Sequence, residues 1–177
     1  KDLQCPATIF LVADMIGTRD MFWPERLART MTAIALSHPQ QWSNPNLSWL
    51  RDSHVDYAFS HTPPTTEELA QLIDAAKRLV DEDIHNRLDV IASELNLSIT
   101  PEQPSLLSWE QVTKMVNSGL VEMGSHTCRH TRLTEQTPLP SLEHEIIASK
   151  ETIEKCTGQP VTTFCYPNGD FSDAARQ

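Results

Sequence analysis

Two histidines four residues apart, His126 and His130, are the side chains of this sequence whose type and spacing best fit metal chemistry. Neutral imidazole is the commonest protein ligand for zinc and related divalent ions. On a helical turn or a tight loop, positions i and i+4 lie side by side, so both rings can bind one ion. Seven histidines in 177 residues also produce such pairs by accident, so a solvated or core-capping pair is the alternative. An apolar stretch, residues 119–125, runs straight into the pair, and strand ends are where α/β proteins build sites.

The four cysteines do not describe a metal or disulfide framework of their own. They are scattered and show no C-x-x-C spacing, which argues against a zinc ribbon or a disulfide-dense scaffold. Cys128 lies between the two histidines and is a candidate third ligand. Position i+2 points away from the face shared by i and i+4, however, so we expect Cys128 to face elsewhere.

Composition bounds the class of protein. The 177 residues suffice for one domain with a sizeable core, and 39% hydrophobic against 21% charged residues indicates a globular chain. The net charge of −10 argues against nucleic acid or an anionic membrane as the main partner. No apolar run reaches the ~18 residues of a membrane span, so we predict none in this chain.

Three continuous apolar runs predict strands, at residues 7–13, 120–125 and 161–166. Such runs are typical of strands buried on both faces, hence parallel. Helical patterns separate them, and this alternation indicates an α/β fold with the three strands as neighbours in one parallel sheet.

The helices are marked by their caps and their apolar faces. In the first half we predict one helix starting near Pro24, with Leu27, Met31 and Ile34 inward, and two in residues 66–96 after the capping-box pair Thr65 and Glu68. In the second half we predict a helix at 109–118 capped by Ser108, and a last helix after Ser172. Between them we predict a helix at 142–156 capped by Ser141, with Ile146, Ile147 and Ile153 inward. Between residues 37 and 65 no period is visible, and this stretch, which contains His54 and His61, is predicted to be a long connection. It is either a folded loop near a cleft or a surface excursion.

Three stretches of the sequence, in this order, resemble the polysaccharide deacetylase, or NodB-homology, family. They are residues 5–11 (CPATIFL), residues 108–134 around the histidine pair, and residues 163–169 (TFCYPNG). The resemblance implies a distorted, incomplete (β/α) barrel with parallel strands, in which residues 37–97 are a loop and helical insertion. It implies a single domain over residues 1–177, apparently truncated at both ends. Its members are metal-dependent carbohydrate esterases, hydrolases that act on carbon–nitrogen (non-peptide) bonds when the acetyl group is N-linked.

The resemblance also implies roles for individual residues. His126 and His130 would hold a divalent metal, with zinc expected and cobalt or nickel possible, and the backbone N–H of Asn168 would stabilise the oxyanion. Tyr166, Pro167 and Gly169 would line the substrate groove, although the same residues also form a turn signal at the end of the third strand. Asp14 ends the first strand, so it either reaches the same groove or caps the next turn.

Two departures from the family pattern limit these roles. The family's acidic motif, which supplies the general base and a third metal ligand, precedes the stretch matched by residues 5–11, and its general-acid motif would follow residue 177. We therefore expect the 177 residues alone to bind metal weakly and to be inactive. The position often held by arginine is Cys165 here, which puts the ion pair that orients the base in doubt.

Three functions remain open from the sequence. The first is a metal-dependent deacetylase acting on N-acetylated or O-acetylated sugars of a polysaccharide or oligosaccharide. The second is a non-catalytic carbohydrate-binding or scaffolding module of the same fold, and the third is an amidohydrolase acting on a small non-sugar amide. The resemblance implies the cell envelope or the extracellular space, and the residues leave the cytoplasm open as well.

Overall fold

The computed structural model describes residues 4–51 and 62–176. The chain forms two compact units: a sheet unit, Lys1–Asp20 with Pro101–Gln177, and a helical unit, Met21–Thr100. The predicted insertion 37–97 lies within the helical unit, while His54 and His61 lie outside the described residues. The assignment of residues 1–177 to one domain stays a prediction.

In its described residues, 21–51 and 62–100, the helical unit has four α-helices: α1 (Trp23–Ser37), α2 (Ser48–Arg51), α3 (Thr66–Ala76) and α4 (Asp81–Glu94). The predicted start of α1 and its inward face are confirmed, because Pro24 lies in its first turn and Leu27, Met31 and Ile34 are fully buried. The capping box before α3 is also confirmed, with both of its hydrogen bonds formed. In the part of the chain that the structure describes, no helix is long and apolar enough to cross a membrane.

The connection predicted after α1 contains short helical turns in its described part. Two 3₁₀ turns, Pro39–Ser43 and Pro45–Leu47, lead into α2. Each turn begins with a proline, whose fixed φ suits the first helical position. The side chain of Asn44 accepts a hydrogen bond from the Asn46 N–H and so caps the second turn. Single turns of this length are too short to show a hydrophobic period.

The sheet unit contains two parallel strands, β1 (Ala7–Leu11) and β2 (Val121–Ser125), paired in register from Ala7 with Val121 to Leu11 with Ser125. The prediction of parallel neighbours is confirmed for these two. The predicted third strand at 161–166 is wrong as a full strand, because it contributes one parallel bridge, between Phe164 and Ser125. At this bridge the Ser125 N–H donates to the Thr163 carbonyl and the Cys165 N–H donates to the Ser125 carbonyl.

The prediction that β1 is buried on both faces is also wrong. Thr8 and Phe10 share one face and are exposed, whereas Leu11 at the end of the strand is buried. The core of the sheet unit lies on the other side and includes Ile153 and Val112. The strand is therefore covered on one face only, and its apolar sequence overstates its burial.

Four helices complete the sheet unit: α5 (Trp109–Val116), α6 (Leu139–Glu143), α7 (Ser149–Thr157) and α8 (Asp173–Arg176). A π-helical segment, His144–Ala148, joins α6 to α7. Ser108 and Ser172 accept capping hydrogen bonds at α5 and α8 as predicted.

Ser141 is not a cap, because the helix starts earlier, at Leu139, with Pro140 in its first turn. The predicted inward position of Ile147 is wrong as well, since its side chain is 53% exposed.

Candidate metal-binding site

The two histidines lie directly after β2, on the loop that carries the chain away from the sheet. The His126 N–H donates to the Leu11 carbonyl at 2.9 Å, so the end of β1 fixes the backbone of the first histidine. The rings of His126 and His130 are half-buried, their centroids are 4.8 Å apart, and their planes are inclined at 75°. The structure therefore brings together the two side chains that the sequence selected.

The ring of His126 is held by a carbonyl from a distant part of the chain. Its Nδ1 lies 2.7 Å from the Cys165 oxygen. A carbonyl oxygen only accepts hydrogen bonds, so Nδ1 carries the proton and Nε2 keeps a free lone pair. Metal-binding histidines are commonly fixed in this way by a hydrogen bond from the other ring nitrogen.

The spacing of the rings fits a shared ion. Two imidazoles bound to one ion at about 2.0–2.1 Å, with an angle of about 90–109° between them, hold their ring centres about 4.5–5.2 Å apart. The observed 4.8 Å lies within that interval. Both side chains are nitrogen donors of the kind that zinc, cobalt and nickel accept.

The backbone of the loop that carries the histidines is strained, and hydrogen bonds to a buried carboxylate fix it. Thr127 and His130 adopt left-handed φ values of 69° and 63°, which cost about 1–3 kcal/mol each for residues other than glycine. The buried carboxylate of Glu145 accepts hydrogen bonds from the Cys128 N–H at 2.8 Å and the Arg129 N–H at 3.0 Å.

The sequence analysis missed Glu145, and a helical period could have found it. The buried residues of this helix are spaced by three, four and four: Leu142, Glu145, Ser149 and Ile153. Glu145 and Ser149 escape a search for apolar residues, because each one faces a polar partner. The Ser149 hydroxyl lies 2.6 Å from the Ser125 hydroxyl at the end of β2, so this helix face supports both the strand and the loop that follows it.

The segment after the single bridge holds the predicted groove residues. Asn168 is exposed in a left-handed conformation, φ 58°, and among residues 4–51 and 62–176 no acceptor is hydrogen-bonded to its N–H. Pro167 is buried, and Gly169 is exposed with φ 76°. The Tyr166 ring contacts Phe164 and Phe171 at centroid distances of 5.0 and 5.3 Å, and its hydroxyl donates to the Ala175 carbonyl at 3.2 Å.

A family comparison decides what these motifs belong to. The family model described as polysaccharide deacetylase matches residues 1–177, the whole of the chain. The chain belongs to the polysaccharide deacetylase family. The family resemblance stated from the sequence is thereby confirmed, and the family is generally metal-dependent. No curated protein matches the chain.

Two solved structures are similar to this member of the deacetylase family. One is a polysaccharide deacetylase from Bacillus cereus, 26% identical over 51% of this chain and 32% of that chain, with a TM-score of 0.34. The other is from Bacillus anthracis and is described as a candidate polysaccharide deacetylase. It is 20% identical over 97% of this chain and 53% of that chain, with a TM-score of 0.34. The chain therefore spans about half or less of the length of these two deacetylases.

Asp14, Cys128 and His144 form a second grouping of candidate ligands. Ligand atoms of Asp14, Cys128 and His144 lie within 4.8 Å of one another. Burial, together with the carboxylates of Asp14 and Glu145, raises the pKa of the Cys128 thiol to about 12. The sulfur is therefore protonated at neutral pH and donates to the His144 carbonyl at 3.7 Å. The thiol faces these groups, and the histidine pair remains the better candidate for the family's metal.

Asp14 also contacts the histidine loop directly. Its N–H donates to the Cys128 carbonyl at 3.0 Å, and its carboxylate forms an exposed ion pair with Arg129 at 3.4 Å. Asp14 lies in a single 3₁₀ turn, Ala13–Met15, that continues β1. The interpretation of Asp14 as a cap is wrong, because Val12 occupies the N-cap position of this turn and no side chain caps it. The place of Asp14 in a substrate groove stays a prediction.

Proposed function

We propose that this chain supplies the two-histidine part of a divalent metal site in a hydrolase that removes acetyl groups from the N-acetylated or O-acetylated sugars of a polysaccharide. One observation carries the proposal: His126 and His130 lie at the ring spacing of a shared ion, and a hydrogen bond fixes the tautomer of His126. The family match over the whole chain supports the same reaction class.

The chemistry follows from the donors that the chain presents. A divalent ion, with zinc proposed and cobalt or nickel as alternatives, supplies Lewis-acid polarisation of the acetyl carbonyl and acidifies water. His126 and His130 would bind the ion through unprotonated ring nitrogens. The backbone N–H of Asn168, which has no acceptor within the described residues, is free to donate to the developing oxyanion.

The groove and the barrel are part of the proposal. Tyr166, Pro167 and Gly169 follow the segment whose Cys165 carbonyl contacts His126, which supports their proposed role as one wall of the groove. The contact of Asp14 with Arg129 supports its proposed role in the same groove. The parallel pair β1 and β2 is proposed as part of a distorted, incomplete (β/α) barrel.

Metal titration tests the site itself. In the whole gene product that contains this chain, cobalt binding followed by absorption should weaken strongly in His126→Ala and in His130→Ala. The matched control is His38→Ala, a half-buried histidine of the helical unit, which should bind cobalt as the wild type does. A sulfur-to-cobalt charge-transfer band that disappears in Cys128→Ser would place the ion at Cys128 and overturn the two-histidine assignment.

Acetate release tests the reaction. The same protein should release acetate from N-acetylglucosamine oligomers or from O-acetylated glycans, and His126→Ala should abolish this release. Metal-loaded protein that binds these glycans without releasing acetate would support the carbohydrate-binding module instead. Release from small non-sugar amides alone would support the third function and overturn the proposed substrate class.

A further inference from the structure

Among the described residues, Glu145 is the one buried acid of the sheet unit, and it is not one of the candidate metal ligands. Its carboxylate makes three hydrogen bonds, and all of them go to the stretch that contains or follows the histidine pair. Oε2 accepts from the Cys128 and Arg129 N–H groups, and Oε1 accepts from the Thr131 hydroxyl at 2.8 Å.

We propose that Glu145 is a positioning residue for the metal site, which sets the distance between His126 and His130 by fixing the loop that joins them. The inference rests on the proposed function, because it concerns the same two histidines. Glu145 is not offered as a base, since both of its oxygens already accept hydrogen bonds from the loop.

The loop needs such a fixed point because of its backbone. Two of its residues, Thr127 and His130, have left-handed φ values, and such conformations persist only where the surroundings enforce them. Two successive N–H groups that aim at one carboxylate oxygen define the turn between the histidines. Without the carboxylate, the Cys128 N–H would be left unpaired in a buried place, and relaxation of the loop would change the separation of the two rings.

The position of Glu145 on its helix makes it a rigid support. It lies in the π-helical segment His144–Ala148, in line with the buried residues Leu142, Ser149 and Ile153. Single π-helical turns are frequent at functional sites. The loop is thereby tied to the helix that also contacts the end of β2 through Ser149.

The test is cobalt affinity in the whole gene product, measured by titration well below the unfolding temperature of each variant. Glu145→Ala should bind cobalt about 10- to 100-fold more weakly, as is usual when the support of a metal ligand is removed. Glu145→Gln should recover most of this loss, because its amide oxygen can still accept from the loop. Glu143→Ala, an exposed glutamate on the same helix, is the matched control for the lost charge and should leave the affinity unchanged.

The control measurements separate positioning from stability. If a variant is almost fully folded under the assay conditions, its lower global stability does not reduce the measured cobalt affinity. A weaker affinity then shows that the arrangement of the histidine loop has changed. If Glu145→Ala does not fold, Glu145→Gln and Thr131→Val take its place, and Thr131→Val should show a smaller loss. Wild-type affinity in a folded Glu145→Ala protein, or in Thr131→Val if only that variant folds, would overturn the inference alone. A wild-type protein that binds no cobalt would overturn the proposed function and this inference with it.

Discussion

Gly124 on β2 is packed so closely by its neighbours that one added methyl group has no room. A Cβ built at this position would lie 2.5 Å from Cδ1 and 2.6 Å from Cε1 of Phe10, and 2.7 Å from the Thr163 hydroxyl. Ordinary contacts of a Cβ begin at 3.4 Å. In Gly124→Ala the Phe10 ring must therefore move by about 1 Å, which makes the substitution an overpacking change.

Two opposing terms set the magnitude. Overpacking of this kind costs about 1–3 kcal/mol. Replacing a strand glycine by alanine returns about 0.5–1 kcal/mol, because the unfolded chain loses conformational freedom. We expect a net loss of about 1–2 kcal/mol in the free energy of unfolding. Phe10 is 39% exposed, so its ring can turn toward solvent, which keeps the loss below the upper limit.

Urea unfolding of four proteins measures this effect: wild type, Gly124→Ala, Phe10→Ala and the double variant. In the Phe10→Ala background the two closest contacts of the added methyl group are gone and the contact with the Thr163 hydroxyl at 2.7 Å remains, so the second substitution should be much less destabilising. The coupling energy of the cycle should be about 1–2 kcal/mol. A Gly124→Ala protein as stable as the wild type, or a loss that persists unchanged without the Phe10 ring, would refute the reasoning.

Two further predictions concern pKa values in the sheet unit. A hydrogen bond from the Lys150 ammonium holds the pKa of Glu154 below its ordinary value of 4.5. The ionised carboxylate therefore stabilises the folded chain above that pH, and this stabilisation is lost as the pH falls through the folded pKa. Glu154→Gln should accordingly be less stable than the wild type near neutrality and equal to it in strong acid; a stability gap that does not depend on pH would contradict this. The raised pKa of Cys128, about 12, predicts that its thiol resists alkylation in the folded protein at pH 8, while the exposed thiols react. Mass spectrometry of the alkylated peptides should find label on Cys5 and Cys156, and rapid labelling of Cys128 would contradict the described burial.

Features fixed by near neighbours in the sequence were predictable. The caps at Thr65, Ser108 and Ser172 rest on residues three positions away, and the structure has all three. The closeness of the two histidines belongs to the same kind, because a spacing of four residues keeps both of them on one short loop after a strand. The Cys128 sulfur lies within 4.8 Å of ligand atoms of Asp14 and His144.

Features that depend on distant partners were not predictable. The apolar run at 161–166 has the composition of a strand, but its pairing with β2 consists of one bridge, between Phe164 and Ser125. Phe10 has the composition of a core residue, but the described chain leaves its face open. Glu145 was missed because burial of a carboxylate makes sense only once the N–H groups that it accepts from are known.

The supports of the histidine loop have a consequence for the order in which the protein matures. Glu145 and the Cys165 carbonyl both follow the histidines in the chain, so the ribosome makes both imidazoles before it makes either support. A nascent chain paused between His130 and Glu145 carries two ligands without the framework that sets their spacing. Because a metal site seldom exists before the fold that forms it, loading with the ion has to follow synthesis of this helix and of the segment beyond it.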